Sequence, residues 1–376
     1  MDFDSHFAPY LPCFQSLTRS VDGSARLYLH GLFQCRRRNM EKMAETVSGS
    51  RYQRLHHMLS ESAWDRGGVR RQLIRDANAH FGHACALVID ESAFAKKGDM
   101  ALAMIHRLRR EGLRFAYTVF DAGYGHLPWL LRALDGERET FLAEVHSDQA
   151  IYLADQAPAV PDRSSGRGKA PSRLQAQTQS LTVTDWAHAQ EPSRWRRLSV
   201  REGEKGEVVA DYLKQRVWLW DGAEQWARCW HLLVRREIEG SKLKFCLSNT
   251  KPELSLRRLA EMQAARHFVE RAFEDAKGAC GMADYQVRSF HVWHHHMALV
   301  MVALMFLAKE RLAHRDTGNL LSCNDLVEIM RHKLPTKIET DSDLVAMIED
   351  RHQRRRVAMD HAYRKQTLML AASACG

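Results

Sequence analysis

Two short apolar segments, each ending in an aspartate, flank one amphipathic stretch and constrain the fold of this chain most strongly. Residues 84–90 (ACALVID) and residues 115–121 (FAYTVFD) are rich in β-branched and aromatic side chains, and helical periodicity runs from Ala101 to Arg110. Continuous short apolar runs are typical of strands buried on both faces. Strand, helix and strand in this order predict a parallel unit with a right-handed crossover. Its two strand ends bring Asp90 and Asp121 together.

The remaining chain alternates between helical and extended patterns, so the predicted class is α/β. Residues 1–82 read as helical, 83–154 carry the two aspartates, and TFLAEV (140–145) is a third strand. Residues 155–250 read as a linker followed by a β-rich insertion of six short antiparallel strands, the first of them LTVTDW (181–186). Helices return in 251–335, and 336–376 form a basic helical tail.

Charge and apolar patterning limit the classes of partner. Lys and Arg exceed Asp and Glu by 55 to 46, a net charge of +9, which is typical of proteins that bind polyanions. The longest apolar run, residues 297–308, is shorter than the roughly 20 residues of a bilayer span. The N-terminus lacks the pattern of a secretory signal, so we expect a cytoplasmic protein.

A third acidic candidate lies in the helical pattern after Leu254. Arg266 and Glu270 are four residues apart and Lys277 follows seven residues later, a spacing that predicts one shared helical face. Phe268 and Phe273 are expected to anchor the opposite face in the core. The sequence therefore predicts a carboxylate flanked by two cations on a buried helix.

Three carboxylates on two strands and a helix can hold two divalent metal ions for phosphodiester chemistry. Mg²⁺ suits such a site, because it takes few carboxylates together with water and substrate phosphate. Catalytic and metal-binding roles are therefore expected for Asp90, Asp121 and Glu270. Four cations are expected to face the phosphate backbone: Arg266, Lys277, Lys96 and Lys97.

A second basic feature lies near the N-terminus. Two short helical patterns, Met40–Val47 and Arg51–Leu59, flank Ser48-Gly49-Ser50 and resemble a helix-turn-helix. Arg51, Gln53 and Arg54 on the second helix are candidates for DNA contact. A small helical bundle with a solvated basic face is the alternative.

The order of these motifs resembles the DDE transposases of bacterial insertion sequences, in the IS4-like group and most closely the IS701 family. The resemblance rests on three segments and covers nearly the whole chain: VIDESAFAKKG (88–98), FDAGYG (120–125) and the stretch from Arg266 to Leu299. Arg266, Glu270 and Lys277 fit the signature Y-x2-R-x3-E-x6-K, with Gln263 in place of its tyrosine. The resemblance implies an RNase H-like core that cuts and joins DNA at terminal inverted repeats. It also implies Mg²⁺ or Mn²⁺ as a cofactor and a homodimer assembled on DNA.

The spacing between the two aspartates departs from that family. Only 31 residues separate Asp90 from Asp121, whereas family members carry a far longer segment there. KKGDM (96–100) is followed directly by the predicted helix, which is the pattern expected if a block of residues between the two aspartates has been deleted in frame. A shortened sheet is expected, in which the Asp90 strand lacks an antiparallel partner. Two functions remain open: a transposase of impaired activity, and an inactive DNA-binding protein that represses transposition.

A cluster of histidines offers a different kind of site. His291, His294, His295 and His296 precede the apolar run, and at most two histidines of such a group can share a metal ion. Helix packing and hydrogen bonding are the favoured interpretation.

Overall fold

The computed structural model describes residues 2–15, 20–90, 96–162, 172–203, 206–238, 242–284, 289–314, 321–338 and 340–374. The chain divides into two compact units. The helical unit combines Met1–Asp76 with Phe273–Gly376, and the sheet unit is Ala77–Ala272. The helical unit is therefore built from both ends of the chain.

Short 3-10 helices lie at Ala8–Phe14 and Pro192–Arg194. The α-helices are α1 (Phe3–Phe7), α2 (Asp22–Gln34), α3 (Met40–Thr46), α4 (Tyr52–Ser60), α5 (Arg66–His80), α6 (Lys97–Arg110), α7 (Ala122–Gly125), α8 (Pro128–Gly136), α9 (Val183–His188), α10 (Leu256–Ala264), α11 (His267–Gly278), α12 (Phe290–Ala313), α13 (Cys323–Lys333) and α14 (Asp341–Ala374). The strands are β1 (Ala86–Ile89), β2 (Tyr117–Phe120), β3 (Phe141–Val145), β4 (Ala150–Ile151), β5 (Leu181–Thr182), β6 (Arg196–Gly203), β7 (Gly206–Leu219), β8 (Arg228–Glu237) and β9 (Leu243–Ser248).

The core of the helical unit forms around α12. This helix is apolar on all sides, the pattern of a helix buried within a protein. It packs with aromatic side chains of α1 and α2, and its Phe306 ring lies 5.3 Å from the Phe3 ring. By length and composition α12 also fits a bilayer span, but 56% of its most apolar window is buried inside the protein. The apolar run is thus a core helix of this unit.

The sheet unit contains a seven-stranded mixed sheet in the order β1-β2-β3-β9-β8-β7-β6. β1, β2 and β3 are parallel, and the other neighbours are antiparallel. Helices α6, α8 and α9 pack on one face, and α10 packs on the other. The predicted strand, helix and strand around the two aspartates are confirmed, as is the third strand. Within the described residues β1 pairs only with β2.

The β-rich segment differs from its prediction in two respects. It is not a separate sheet, because β9 pairs with β3 and the later strands continue the sheet of the aspartates. The six predicted short strands are four long strands and β5, which has two residues. β7 runs unbroken through Lys214 and Gln215, because β8 pairs with both of them.

LTVTDW was wrongly predicted as a strand. Only Leu181 and Thr182 are extended, and α9 begins at Val183. The Thr182 side chain accepts a hydrogen bond from the Asp185 amide and donates one to the Asp185 carboxylate, which caps the helix. A cap of this kind outweighs the weak strand preference of the three β-branched residues of this segment.

Candidate active site

Three acidic residues lie in one row across the parallel strands. Ile89 of β1 pairs with Phe120 of β2, and Phe120 pairs with Ala143 of β3. The next residues along the three strands are Asp90, Asp121 and Glu144. Ligand sites of open α/β sheets lie at the carboxyl ends of strands, which is where Asp90 and Asp121 lie, whereas Glu144 lies inside β3. The structure thus brings Asp90 and Asp121 to neighbouring positions, as the sequence predicts.

The turn after β2 ties both aspartates in place. Asp121 is buried and caps the start of α7, where its carboxylate accepts a hydrogen bond from the Tyr124 amide at 3.2 Å. The Tyr124 hydroxyl donates to the backbone carbonyl of Asp90 at 3.3 Å. One tyrosine therefore links the two strand ends, a role that the FDAGYG motif did not reveal from sequence alone.

Gly125 allows this turn to lie directly on β3. A Cβ atom at this position would lie 1.7 Å from the backbone carbonyl oxygen of Glu144. A backbone atom cannot rotate away as a side chain can, so only glycine fits this approach. Gly125 thus fixes α7, and with it Asp121, against the strand that carries the third acid.

Arg266 lies between two of the three acids. Its Nη1 donates to Glu144 Oε2 at 3.0 Å, and its Nη2 lies 3.7 Å from Asp90 Oδ1. The shorter contact is a charge-assisted hydrogen bond, and the longer one is an ion pair beyond hydrogen-bonding distance. Arg266, Glu144 and Asp90 side chains are only 23%, 16% and 31% exposed.

The predicted single helical face is wrong at Arg266. α10 ends at Ala264 and α11 begins at His267, so Arg266 lies in the break between two helices. Gln263, which stands where the family signature has tyrosine, is buried and donates to Cys246 Sγ of β9 at 3.2 Å. Burial raises the pKa of the Cys246 thiol, which stays protonated beside the acidic row.

α11 is not the buried helix that the sequence predicts. Phe268 and Phe273 are 59% and 40% exposed, and Ala276 is its only buried residue among those described. Glu270 is exposed in the first turn, and Lys277 is exposed in the last turn with Nζ 5.9 Å from the Phe273 ring. In the described part of the chain, no three acidic, histidine or cysteine side chains are grouped to hold a metal ion. The structure does not bring Glu270 into such a group with Asp90 and Asp121.

Lys96 and Lys97 stand at the start of α6, six and seven residues after Asp90. Lys96 is exposed immediately before the helix, and Lys97 begins it. Lys97 Nζ lies 5.6 Å from the centre of the Tyr124 ring, whose hydroxyl donates to the Asp90 carbonyl. Residues 91–95 of the motif VIDESAFAKKG lie outside the described residues. Lys97 of α6, in addition to Arg266, therefore brings a positive charge near the acidic row.

The acidic row has the donor chemistry of a Mg²⁺ site. Mg²⁺ is held by one or two carboxylates together with water and substrate phosphates. Asp90 and Asp121 supply two carboxylates at neighbouring strand ends. The residues present fit a divalent cation at Asp90 and Asp121.

In the helical unit, the predicted basic helix is confirmed as α4. Arg51 precedes it, and Arg51, Gln53 and Arg54 are exposed and line two surface depressions.

The predicted basic C-terminal helix is present as α14. Its Arg351 binds Glu45 of α3 at 2.6 Å and lowers the pKa of that carboxyl to about 2.

The favoured interpretation of the histidine cluster is confirmed for its two buried members. His295 Nδ1 lies 2.9 Å from the Leu59 carbonyl, and its ring stacks on Trp64. His296 lies 2.8 Å from the Tyr28 hydroxyl and 3.1 Å from the Gly281 carbonyl. Both are core hydrogen-bonding groups of the helical unit.

The buried histidines predict a loss of stability in acid. Burial lowers the pKa of His295 from 6.5 to about 4, so the folded state resists its protonation. The stabilisation is complete above pH 6.5 and is lost as the pH falls towards 4, by about 3 kcal/mol for this residue. We expect His295→Gln to flatten the fall in unfolding free energy between these pH values, measured by urea denaturation. His352→Gln, at an exposed position of α14, is the control and leaves the slope unchanged. An equal slope in wild type and His295→Gln would contradict this assignment.

Paired acids at the ends of parallel strands, with cations nearby, are the kind of groups that metal-dependent chemistry on phosphate esters uses. The sequence pattern of the DDE superfamily endonucleases matches residues 9–100 and 97–207, more than half of the chain. The chain belongs to this family. A comparison with curated proteins finds no match. Endonucleases of this family generally use divalent metal ions and act on DNA, in agreement with the acidic row.

Proposed function

We propose that the protein is an insertion-sequence transposase of the IS701 type, which cleaves and joins double-stranded DNA at terminal inverted repeats. The observation that carries the proposal is the paired position of Asp90 and Asp121 at the ends of β1 and β2, inside the segments that match the endonuclease family. We further propose an RNase H-like core, which is supported by three parallel strands, two of which end at an aspartate.

Each residue of the acidic site has a role in this proposal. Asp90 and Asp121 hold divalent metal, Mg²⁺ or Mn²⁺, and Glu270 is the third metal-binding carboxylate, from the exposed first turn of α11. When bound, two metal ions at these carboxylates would activate the attacking oxygen and stabilise the leaving oxygen. Arg266, Lys96, Lys97 and Lys277 bind backbone phosphates, and Tyr124 holds the two strand ends in register.

DNA recognition is assigned to the helical unit. Arg51, Gln53 and Arg54 lie at the exposed start of α4, where the second helix of a helix-turn-helix contacts base edges. We infer that the protein acts in the bacterial cytoplasm as a homodimer assembled on two DNA ends.

An internal deletion between the two aspartates is part of the proposal. The family pattern matches in two segments that meet at residues 97–100, the point where the sequence predicts a missing block. β1 pairs only with β2 within the described residues, which leaves its other edge without a partner strand. Both observations support a chain shortened at the start of α6.

A second candidate function is DNA binding without cleavage, which represses transposition. The ion pair between Arg266 and Asp90 favours it, because a cation held on this carboxylate competes with metal binding. In this candidate the basic surfaces bind transposon ends and no strand is cut.

Cleavage of DNA that flanks the coding sequence, in the presence of Mg²⁺ or Mn²⁺, tests the two candidates. We expect Asp90→Asn and Asp121→Asn to lower the cleavage rate at least about a hundredfold, because each removes a charged metal ligand. Asp99→Asn, at an exposed position of α6, is the matched control and retains activity. Unchanged cleavage in Asp90→Asn and Asp121→Asn would contradict the transposase. If the wild-type protein binds the DNA ends in a salt-dependent way but does not cleave them, the result supports the repressor function.

A further inference from the structure

Glu144 is the acid of the row that no motif identified. It lies inside β3, one residue beyond the row that aligns Ile89, Phe120 and Ala143. Its side chain is 16% exposed, so its charge requires a partner, and Arg266 donates to it at 3.0 Å. Glu144 therefore holds the cation that also lies near Asp90.

The two contacts of Arg266 are unequal. The 3.0 Å bond to Glu144 is within hydrogen-bonding distance, whereas the 3.7 Å separation from Asp90 is not. Arg266 Nε is buried and has no hydrogen-bond partner among the described residues, so the guanidinium is not fully satisfied where it lies. Without the Glu144 charge, Arg266 would turn its donors to Asp90, the nearest remaining carboxylate.

We propose that Glu144 is a positioning residue, which holds Arg266 on β3 and thereby keeps the Asp90 carboxylate available to a divalent cation. The inference rests on the proposed metal site at Asp90 and Asp121. Glu144 also offsets the positive charge of Arg266, which would otherwise repel a cation at the neighbouring strand ends. Glu144 acts through Arg266 and does not itself bind the metal.

Binding of Mn²⁺ to the full chain without DNA, followed by electron paramagnetic resonance, tests this role. We expect Glu144→Gln to weaken Mn²⁺ binding about tenfold, the effect of removing a group that orients a metal ligand. Arg266→Gln should bind Mn²⁺ at least as tightly as the wild type. The double variant Glu144→Gln/Arg266→Gln should return to within about threefold of the wild type.

The double variant separates the possible outcomes. A metal affinity that is lost in Glu144→Gln and regained in the double variant cannot come from unfolding, and it supports the positioning role. An affinity that stays low in the double variant overturns it, because Glu144 is then a direct ligand or a purely structural residue. An unchanged affinity in Glu144→Gln also overturns it.

The proposed metal site is tested separately by Asp90→Asn. If Asp90→Asn binds Mn²⁺ as tightly as the wild type, the metal site of the proposed function is contradicted, and with it the role of Glu144. If Asp90→Asn weakens Mn²⁺ binding and Glu144→Gln does not, only the role of Glu144 is contradicted.

Discussion

Replacing Gly125 with alanine is expected to destabilise the sheet unit by about 3 kcal/mol or more, or to prevent its folding. The added Cβ would lie 1.7 Å from the carbonyl oxygen of Glu144, so the α7 turn must move away from β3. Because Asp121 begins that turn and Tyr124 binds the Asp90 carbonyl, both strand ends shift with it. Urea denaturation of the purified variant measures the loss.

Gly136→Ala is the matched control for this change. Gly136 is the last residue of α8 in the same unit, and a Cβ there meets no atom within 4 Å. Alanine at a helical position that tolerates it is neutral or stabilises by up to about 1 kcal/mol. Equal unfolding free energies for Gly125→Ala and Gly136→Ala would show that the turn does not need its glycine.

Replacing Arg38 with methionine is expected to cost the helical unit about 3–5 kcal/mol. Arg38 is 7% exposed and donates to three backbone carbonyls, those of Leu32, Gly278 and Ala279, at 2.6–3.2 Å. It also pairs with Asp284 at 3.3 Å. Methionine fills much of the same space but removes the donor from these oxygens, and the bonds to Leu32 and Ala279 are buried. Thermal and urea unfolding of the variant measure the cost.

Arg26→Met is the control for a lost arginine in the same unit. Arg26 pairs with Asp4 at 3.0 Å, but the two side chains are 46% and 66% exposed. An exposed pair contributes about 1 kcal/mol or less, so this variant should stay close to the wild type. The prediction fails if Arg38→Met is no less stable than Arg26→Met. Gly278 and Ala279 close α11, so Arg38 also fixes the end of the helix that carries Lys277.

The parallel strands were predictable because their signals are local. A short apolar run rich in β-branched residues favours a strand through its own residues, and α6 fits the crossover between two such strands. The same reasoning failed for LTVTDW, where a side-chain cap decided the structure. It also failed for α11, whose aromatic residues have helical spacing yet remain exposed.

The partners of the acidic site were not predictable from sequence. Glu144 and Arg266 are 122 residues apart, and Gly125 requires the position of a carbonyl on another strand. Nothing in the residues beside Glu144 distinguishes it from an ordinary strand acid. Its role depends on β3 lying next to β2 and on the break between α10 and α11.

The α/β class, the two aspartates at strand ends, the histidines as packing groups and the resemblance to DDE transposases can all be inferred from the order of residues within short segments. Three features depend on contacts between distant segments: the β-rich segment extends the sheet, both ends of the chain build the helical unit, and Arg266 binds Glu144 beside Asp90. A charged side chain takes its partner from the elements packed around it, and packing joins residues that are far apart in the chain.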